Sequence, residues 1–193
     1  AALPGGGPAW RRLCLAAARW NHLWRDPLRL PTTRLMKTAM ALWWLLILVR
    51  LAGVRWGDVP PALLAAIVAS GVLVGFAEET LFRGFFLRAL RAGGRTEGRA
   101  ALWVAVCFGL FHLPNVFMGT GVVGLLKVVM AAAMGGVLYA FRRHFGVLWP
   151  AMLAHGSWDI AAFLVGHYAQ PWLTVASMSL QVLMTLLGVA ILV

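Results

Sequence analysis

The sequence predicts an all-α fold: a polytopic bundle of about six transmembrane helices preceded by an N-terminal interfacial helix. Hydrophobic residues make up 62% of the 193 residues and charged residues only 12%, whereas soluble domains carry about 25% charged residues. The apolar residues occur in long blocks of the length that a bilayer core requires. No alternating strand pattern is visible, and open sheet edges would leave backbone groups unpaired at membrane depth. The composition therefore excludes a soluble domain.

The first element in chain order is a basic N-terminal arm, residues 1–34. Within it, the segment 9–30 mixes tryptophan and leucine with arginine. It is too charged to cross a bilayer, but it suits a helix that lies at the level of the lipid headgroups. Pro27 and Pro31 are expected to end this helix, because proline lacks the N–H that a continuing helix needs.

The rest of the chain, residues 35–193, divides into six apolar blocks that predict six spans. The blocks are 35–52, 60–90, 100–118, 121–141, 147–166 and 172–193. Short connections that contain glycine or proline separate most of them. The second block is longer than a bilayer core, so we expect its end from Arg88 to project into the cytosol.

The net charge of +11 is arranged as expected for a membrane protein. Basic residues gather in the arm, in the 88–99 loop and at Arg142 and Arg143, and this pattern predicts that all three are cytosolic. Arg50 and Arg55 near the first outer loop count against this orientation but are outnumbered. The expected partner of the basic surface is anionic membrane lipid rather than nucleic acid.

Ionisable side chains inside predicted spans give the main indication of function, because burying them in a bilayer is costly. The chain has six acidic residues, and half of them fall within predicted spans. The intramembrane group consists of Glu78, Glu79, Arg83, His112, His155 and Asp159.

Glu78, Glu79 and Arg83 lie on the second span. Glu79 and Arg83 are four residues apart, so they share a helix face and can pair. Glu78 is turned by about 100° from Glu79, and a carboxylate without a partner suits proton transfer. A purely structural interpretation would make all three one ion network. We interpret Glu79 and Arg83 as structural and Glu78 as chemical.

His112, His155 and Asp159 lie on the third and fifth spans. A lone His112 could simply satisfy backbone groups freed by the nearby Pro114. His155 and Asp159, again four apart, could form a hydrogen bond that joins helices. However, Glu78, His112 and His155 each lie about 15–18 Å from the predicted cytosolic end of their span. Their common depth favours one shared site.

These motifs resemble the CAAX prenyl endopeptidases and bacteriocin-processing proteins, an intramembrane protease superfamily also called the abortive-infection family. Its pattern is Glu-Glu-x-x-x-Arg, then Phe-x-x-x-His, then His-x-x-x-Asn/Asp on separate membrane helices. This chain carries the three motifs in that order, at 78–83, 108–112 and 155–159. Residues 135–139 also resemble the family, so the resemblance covers about 70–165.

The resemblance implies that Glu78 activates the hydrolytic water and that His112 helps to hold it. His155 and residue 159 would bind the oxyanion, and Phe108 would support the site. Position 159 is Asn in the eukaryotic prenyl-protein branch and Asp here, a common bacterial variant that implies a bacterial cytoplasmic membrane. Because an ionised Asp159 cannot donate to an oxyanion, it either orients His155 or is protonated.

We therefore predict an intramembrane endopeptidase that cleaves a membrane-associated or lipidated protein, or a leader or sorting tail. A divalent metal such as zinc remains open, with Glu78, His112, His155 and Asp159 as candidate ligands; we favour a metal-free route. Two rival functions are a non-catalytic membrane scaffold or immunity protein and, less favoured, a proton-coupled transporter. A transporter predicts internal repeats, which the sequence does not show.

Overall fold

The computed structural model describes residues 24–26, 28 and 30–193, and within them the chain forms six long helices and no strand. The predicted all-α bundle is therefore confirmed. The helices are α1 Arg34–Ala52, α2 Pro61–Ala92, α3 Glu97–Phe111, α4 Val122–Phe145, α5 Trp149–Tyr168 and α6 Leu173–Leu192. The predicted interfacial helix at 9–30 lies almost entirely outside the described residues.

Helix α2 is continuous but changes its winding at its middle. Pro61 occupies its first turn, where a missing N–H costs nothing. Pro61–Glu79 is α-helical, Thr80–Phe86 is π-helical, and Leu87–Ala92 is α-helical again. Insertions of π-helix within an α-helix are frequent at functional sites. Here the change begins directly after the Glu78-Glu79 pair.

Five helices in the described part of the chain are long and apolar enough to cross a membrane, and the chain is an integral membrane protein. Helix α5, which the sequence also predicted as a span, is not among the five. It carries His155, Asp159 and His167, which lower its mean hydropathy. Helix α5 packs against α1, α2 and α4, so its neighbours shelter His155, whereas His167 is exposed.

Small residues allow the helix backbones to approach closely. Between α2 and α5, a Cβ atom on Gly75 would lie 2.5 Å from the Met152 carbonyl oxygen, and one on Gly156 would lie 2.7 Å from the Gly71 carbonyl oxygen. Glycine is therefore required on both sides of this contact. Close approach through small residues is the usual way in which membrane helices associate, and it fixes the distance between α2 and α5 beside the candidate site.

An ion network joins the helices at the end of the bundle that holds the α2–α3 loop. Arg91 donates to both carboxylate oxygens of Asp26, at 3.0 and 2.9 Å, and to Glu97 at 2.8 and 2.5 Å. The Tyr139 hydroxyl also donates to Glu97, at 2.6 Å. Two of the carboxylates outside the predicted spans are thus structural, which the sequence pattern did not indicate.

Arg50, grouped in the sequence with the outer-loop charges, is instead buried in the last turn of α1. Its Nε donates to the Ser177 hydroxyl at 3.1 Å, and its Nη2 donates to the Gln181 side-chain oxygen at 2.7 Å. The guanidinium also lies 4.2 Å from the centre of the Trp158 ring. Arg50 therefore links α1 to α5 and α6, and of these two arginines Arg55 alone is exposed.

Candidate active site

The residues of the three motifs converge from three helices. Helix α2 supplies Glu78, Glu79 and Arg83, α3 ends at Phe111 just before His112, and α5 supplies His155 and Asp159. The structure brings Glu78, Glu79, His155 and Asp159 together around the imidazole ring of His155. Of the three residues for which the sequence indicated a common depth, Glu78 and His155 thus lie in one spatial cluster.

Glu79 and Arg83 form the predicted ion pair. Arg83 Nη1 donates to Glu79 Oε1 at 2.7 Å, and both side chains are completely buried. Arg83 Nη2 also donates to the Gly135 carbonyl oxygen at 3.0 Å. A Cβ atom on Gly135 would approach Arg83 Nη2 to 3.2 Å and Ala105 Cα to 3.0 Å. Glycine at 135 therefore lets α4 pass close to this pair.

His155 is hydrogen-bonded to Glu79 and not to Asp159, the partner that the sequence spacing suggested. Its Nδ1 lies 2.9 Å from Glu79 Oε1, so one carboxylate oxygen contacts both Arg83 and His155. Asp159 Oδ2 lies 3.6 Å from His155 Nε2, beyond hydrogen-bond length. Because an ionised carboxylate only accepts, the Nδ1 proton points at Glu79. Glu79, rather than Asp159, therefore sets the orientation of the ring.

Glu78 has a different environment from its neighbour Glu79. Its side chain is 17% exposed, and its Oε2 lies 3.9 Å from His155 Nε2. That oxygen is buried and has no hydrogen-bond partner among the described residues. The Asp159 side chain is 24% exposed and faces the same ring nitrogen. Glu78 and Asp159 are thus the partly exposed members of the cluster, and both face Nε2 of His155.

His112 follows the last residue of α3, and its ring satisfies that helix end. The His112 N–H donates to the Gly109 carbonyl oxygen, which leaves the Phe108 carbonyl oxygen to the His112 Nδ1 at 2.9 Å. The structural role considered for His112 is therefore real, but it uses only one ring nitrogen. His112 also lies within electrostatic reach of Glu78 and Asp159.

Phe108 is the residue that packs the site together. Its ring meets His112 and His155 edge-on, with centroids 5.1 and 5.5 Å apart. The Arg83 guanidinium lies 4.3 Å from the centre of the same ring. Phe108 is 3% exposed. It therefore packs α3 against both α2 and α5.

The candidate metal ligands do not form a compact set in this arrangement. Within the described ranges, no three His, Cys, Asp or Glu side chains are grouped so as to hold a metal ion. His155 Nδ1 is already bonded to Glu79, and its Nε2 lies 3.6 and 3.9 Å from the Asp159 and Glu78 oxygens. We therefore derive no catalytic step through a metal.

Comparison with known proteins supports the motif assignment. The family model for type II CAAX prenyl endopeptidase Rce1-like proteins matches residues 60–161, more than half of the chain. The match extends from the start of α2 to just beyond Asp159, so it includes all three motifs. Neither a curated protein nor a solved structure matches the chain significantly.

Proposed function

The chain belongs to the Rce1-like family of type II CAAX prenyl endopeptidases, and on this basis we propose that it is an intramembrane endopeptidase with Glu78 as its general base. The observation that carries the proposal is the contrast between the two adjacent glutamates. Both glutamates have an Oε2 atom that is buried without a hydrogen-bond partner among the described residues. Glu79, however, is completely buried and its Oε1 is bonded to Arg83 and His155, whereas the Glu78 side chain is 17% exposed and makes only a 3.9 Å approach to His155. Of the two, Glu78 is therefore the carboxylate available to take a proton.

In the proposed reaction, Glu78 removes a proton from a water molecule as the water oxygen attacks the peptide carbonyl carbon. The carbonyl oxygen then carries the negative charge of a tetrahedral intermediate. The protonated Glu78 returns its proton to the leaving nitrogen as the C–N bond breaks, so that one water is consumed and a carboxylic acid and an amine are released. His112 bonds Phe108 through Nδ1, which leaves its Nε2 to accept a hydrogen bond from the water.

We propose that His155 stabilises the oxyanion through its Nε2–H. The ring must be doubly protonated to donate there, because Nδ1 donates to Glu79. Carboxylate oxygens of Glu79, Asp159 and Glu78 lie 2.9, 3.6 and 3.9 Å from its ring nitrogens, an environment suited to an imidazolium. A preorganised donor aimed at developing negative charge is commonly a large contribution to catalysis. Asp159 would then support the charge of His155.

The proposed substrate is a membrane-associated or lipidated protein, or a leader or sorting tail, because Glu78 and Glu79 of the cluster lie within α2, a helix long and apolar enough to cross the membrane. A base, a water-positioning group and an oxyanion donor are the parts that peptide hydrolysis requires. Membrane lipid is the expected surrounding partner of the bundle.

The test compares wild-type protein with Glu78→Gln, which keeps the shape of the side chain but cannot accept a proton. Substrates are first found as membrane proteins whose new termini appear in cells with wild-type protein but not with Glu78→Gln. Peptides that contain those sites are then assayed with purified protein. We expect the rate of cleavage to fall by about 10²–10⁴-fold.

Asp58→Asn is the matched control, because Asp58 forms only an exposed pair with Arg55 and should leave cleavage unchanged. Near-normal turnover by Glu78→Gln would refute Glu78 as the base. If no membrane protein is cleaved differently in the two strains, the protease proposal itself fails.

A further inference from the structure

A cavity of about 530 Å³ lies between α2 and α5, away from the cluster around His155. It is lined by Leu63, Ala66, Ile67 and Ser70 of α2 and by Phe163, His167 and Tyr168 of α5. The lining is mainly apolar but includes Ser70, His167 and Tyr168. Its volume falls within the range of about 300–1,000 Å³ that is usual for ligand sites.

The cavity lies along the helix surfaces that also carry the candidate catalytic residues. On α5, Asp159, Phe163 and His167 are four residues apart in succession, so they lie on one face. With a rise of about 1.5 Å per residue, Phe163 is about 6 Å and His167 about 12 Å beyond Asp159 along the axis. A continuous strip of α5 therefore connects the cluster with the cavity.

Helix α2 leads from the cluster to the same place. Gly71 would contact Ile160 and Gly75 would contact Met152 if either carried a Cβ atom, so α2 and α5 are antiparallel. The direction from Glu78 towards the N-terminus of α2 is therefore the same as the direction from Asp159 towards the C-terminus of α5. Ser70 is reached about 12 Å from Glu78 in that direction.

We propose that this cavity is a substrate subsite that receives an apolar peptide stretch about two to four residues from the bond cleaved. The inference rests on the proposed function, and it specifies a substrate whose apolar residues are embedded in the membrane beside its cleavage site. An extended peptide covers about 3.3 Å per residue, so two to four residues span the distance from the cluster to the cavity.

The lining favours a peptide over the alkyl chain of a lipid. A peptide segment within a membrane must satisfy its backbone N–H and C=O groups. Ser70, His167 and Tyr168 offer hydroxyl and imidazole groups among the apolar side chains of the cavity. An alkyl chain has no polar group that would use them.

The experiment uses two photoreactive probes with wild-type protein in lipid nanodiscs. One is a leucine-rich hydrophobic peptide with a single diazirine-bearing leucine, and the other is palmitate with a diazirine on its alkyl chain. Labelled positions are located by mass spectrometry after digestion. We expect the peptide to label the lining segments 63–70 and 163–168.

Ala66→Trp fills the cavity, and Ala65→Trp is its matched control, because Ala65 is adjacent and exposed but does not line the cavity. We expect labelling by the peptide to fall about tenfold or more in Ala66→Trp, as a loss of binding would give, and to stay unchanged in Ala65→Trp. Equal labelling in the two variants, or labelling of the lining by palmitate but not by the peptide, overturns the inference.

A cleavage assay on the same variants separates this inference from the proposed function. If Glu78→Gln abolishes cleavage but Ala66→Trp leaves it unchanged, the subsite is refuted and the protease proposal stands. If Glu78→Gln cleaves normally while the peptide labels the cavity and Ala66→Trp blocks that labelling, the cavity binds peptide but the proposed mechanism fails.

Discussion

Glu79 holds both Arg83 and His155 in place with one carboxylate oxygen. Arg83 and His155 both approach its Oε1, at 2.7 and 2.9 Å, and all three side chains are buried. The spacing along α2 predicted the contact with Arg83, because residues four apart on a helix are neighbours. No spacing could predict the contact with His155, because that residue comes from another helix, 76 positions away in the chain.

The two glutamates should therefore respond differently to the same substitution. Glu79→Gln leaves Arg83 buried without its counter-charge, and breaking a buried ion pair costs about 3–5 kcal/mol. Glu78→Gln removes a partly exposed carboxylate that takes part in no short ion pair, so its cost should be smaller. Thermal unfolding of both variants in detergent measures the difference, and equal losses would contradict the structural assignment of Glu79.

A metal requirement can be tested at the same residues. We expect cleavage to survive exhaustive treatment with EDTA and 1,10-phenanthroline, because the candidate ligands are not arranged as a compact metal site among the described residues. The proposed mechanism uses Glu78, His112 and His155 directly. Elemental analysis that finds one zinc per chain, lost together with activity in His112→Ala, would contradict the metal-free route.

At the scale of the element, the contact between α2 and α5 determines the geometry of the cluster. Gly71 and Gly75 face Gly156, and the backbones nearly touch. His155 is adjacent to Gly156 in the chain, and Glu79 is one helical turn beyond Gly75. Any side chain inserted at the contact must therefore move His155 away from Glu79. The sequence predicted both helices, but nothing along either one indicated which glycines face each other.

Gly156→Ala should accordingly reduce both stability and activity. Its Cβ would lie 2.7 Å from the Gly71 carbonyl oxygen, and overpacking of this kind typically costs about 1–3 kcal/mol. Gly166→Ala is the matched control on the same helix, because nothing lies within 4 Å of its added Cβ. That variant should be neutral or more stable by about 0.5–1 kcal/mol. Unfolding and cleavage are measured for both, and the same behaviour in the two variants would contradict the close contact.

The apolar pattern of the sequence does not predict where each helix ends. The fourth predicted span ends at 141, but α4 continues to Phe145. The additional turn contains Arg142, which is 1% exposed and donates to the Trp24 carbonyl oxygen at 2.8 Å. A helix can extend past its apolar block into basic residues when other parts of the protein accept their hydrogen bonds, as Trp24 does for Arg142. Hydropathy cannot predict this, because the partner lies in a distant part of the chain.

For the molecule as a whole, five of the six acidic residues fall into two groups at different levels of the bundle, and the sixth, Asp58, forms an exposed pair with Arg55. Glu78, Glu79 and Asp159 belong to the cluster around His155. Asp26 and Glu97 belong to the network around Arg91 at one end of the bundle. The first group could be predicted because charges within apolar blocks stand out. The second could not, because acidic residues near basic loops look like ordinary surface charges.

The orientation of the bundle is the last prediction, and it fixes the side from which the site is reached. Helix α2 has 32 residues, about 48 Å at 1.5 Å per residue, so it exceeds a hydrocarbon core of about 30 Å. Its two ends must therefore emerge on opposite sides. The basic loop 88–99 predicts a cytosolic location for its C-terminal end.

Cysteine labelling from each side of the membrane tests this orientation. Gly57→Cys and Arg95→Cys are suitable sites, because both positions are exposed and lie in the connections at opposite ends of α2. The background carries Cys14→Ala and Cys107→Ala to remove the native thiols. We expect a membrane-impermeant maleimide added to intact cells to label position 57 but not 95, and to label 95 only after the membrane is opened. Labelling of both positions from one side would contradict the predicted topology. The reverse orientation would place the 88–99 loop outside the cell. The cavity between α2 and α5, which lies towards the other end of α2, would then be in the cytosolic half of the bilayer.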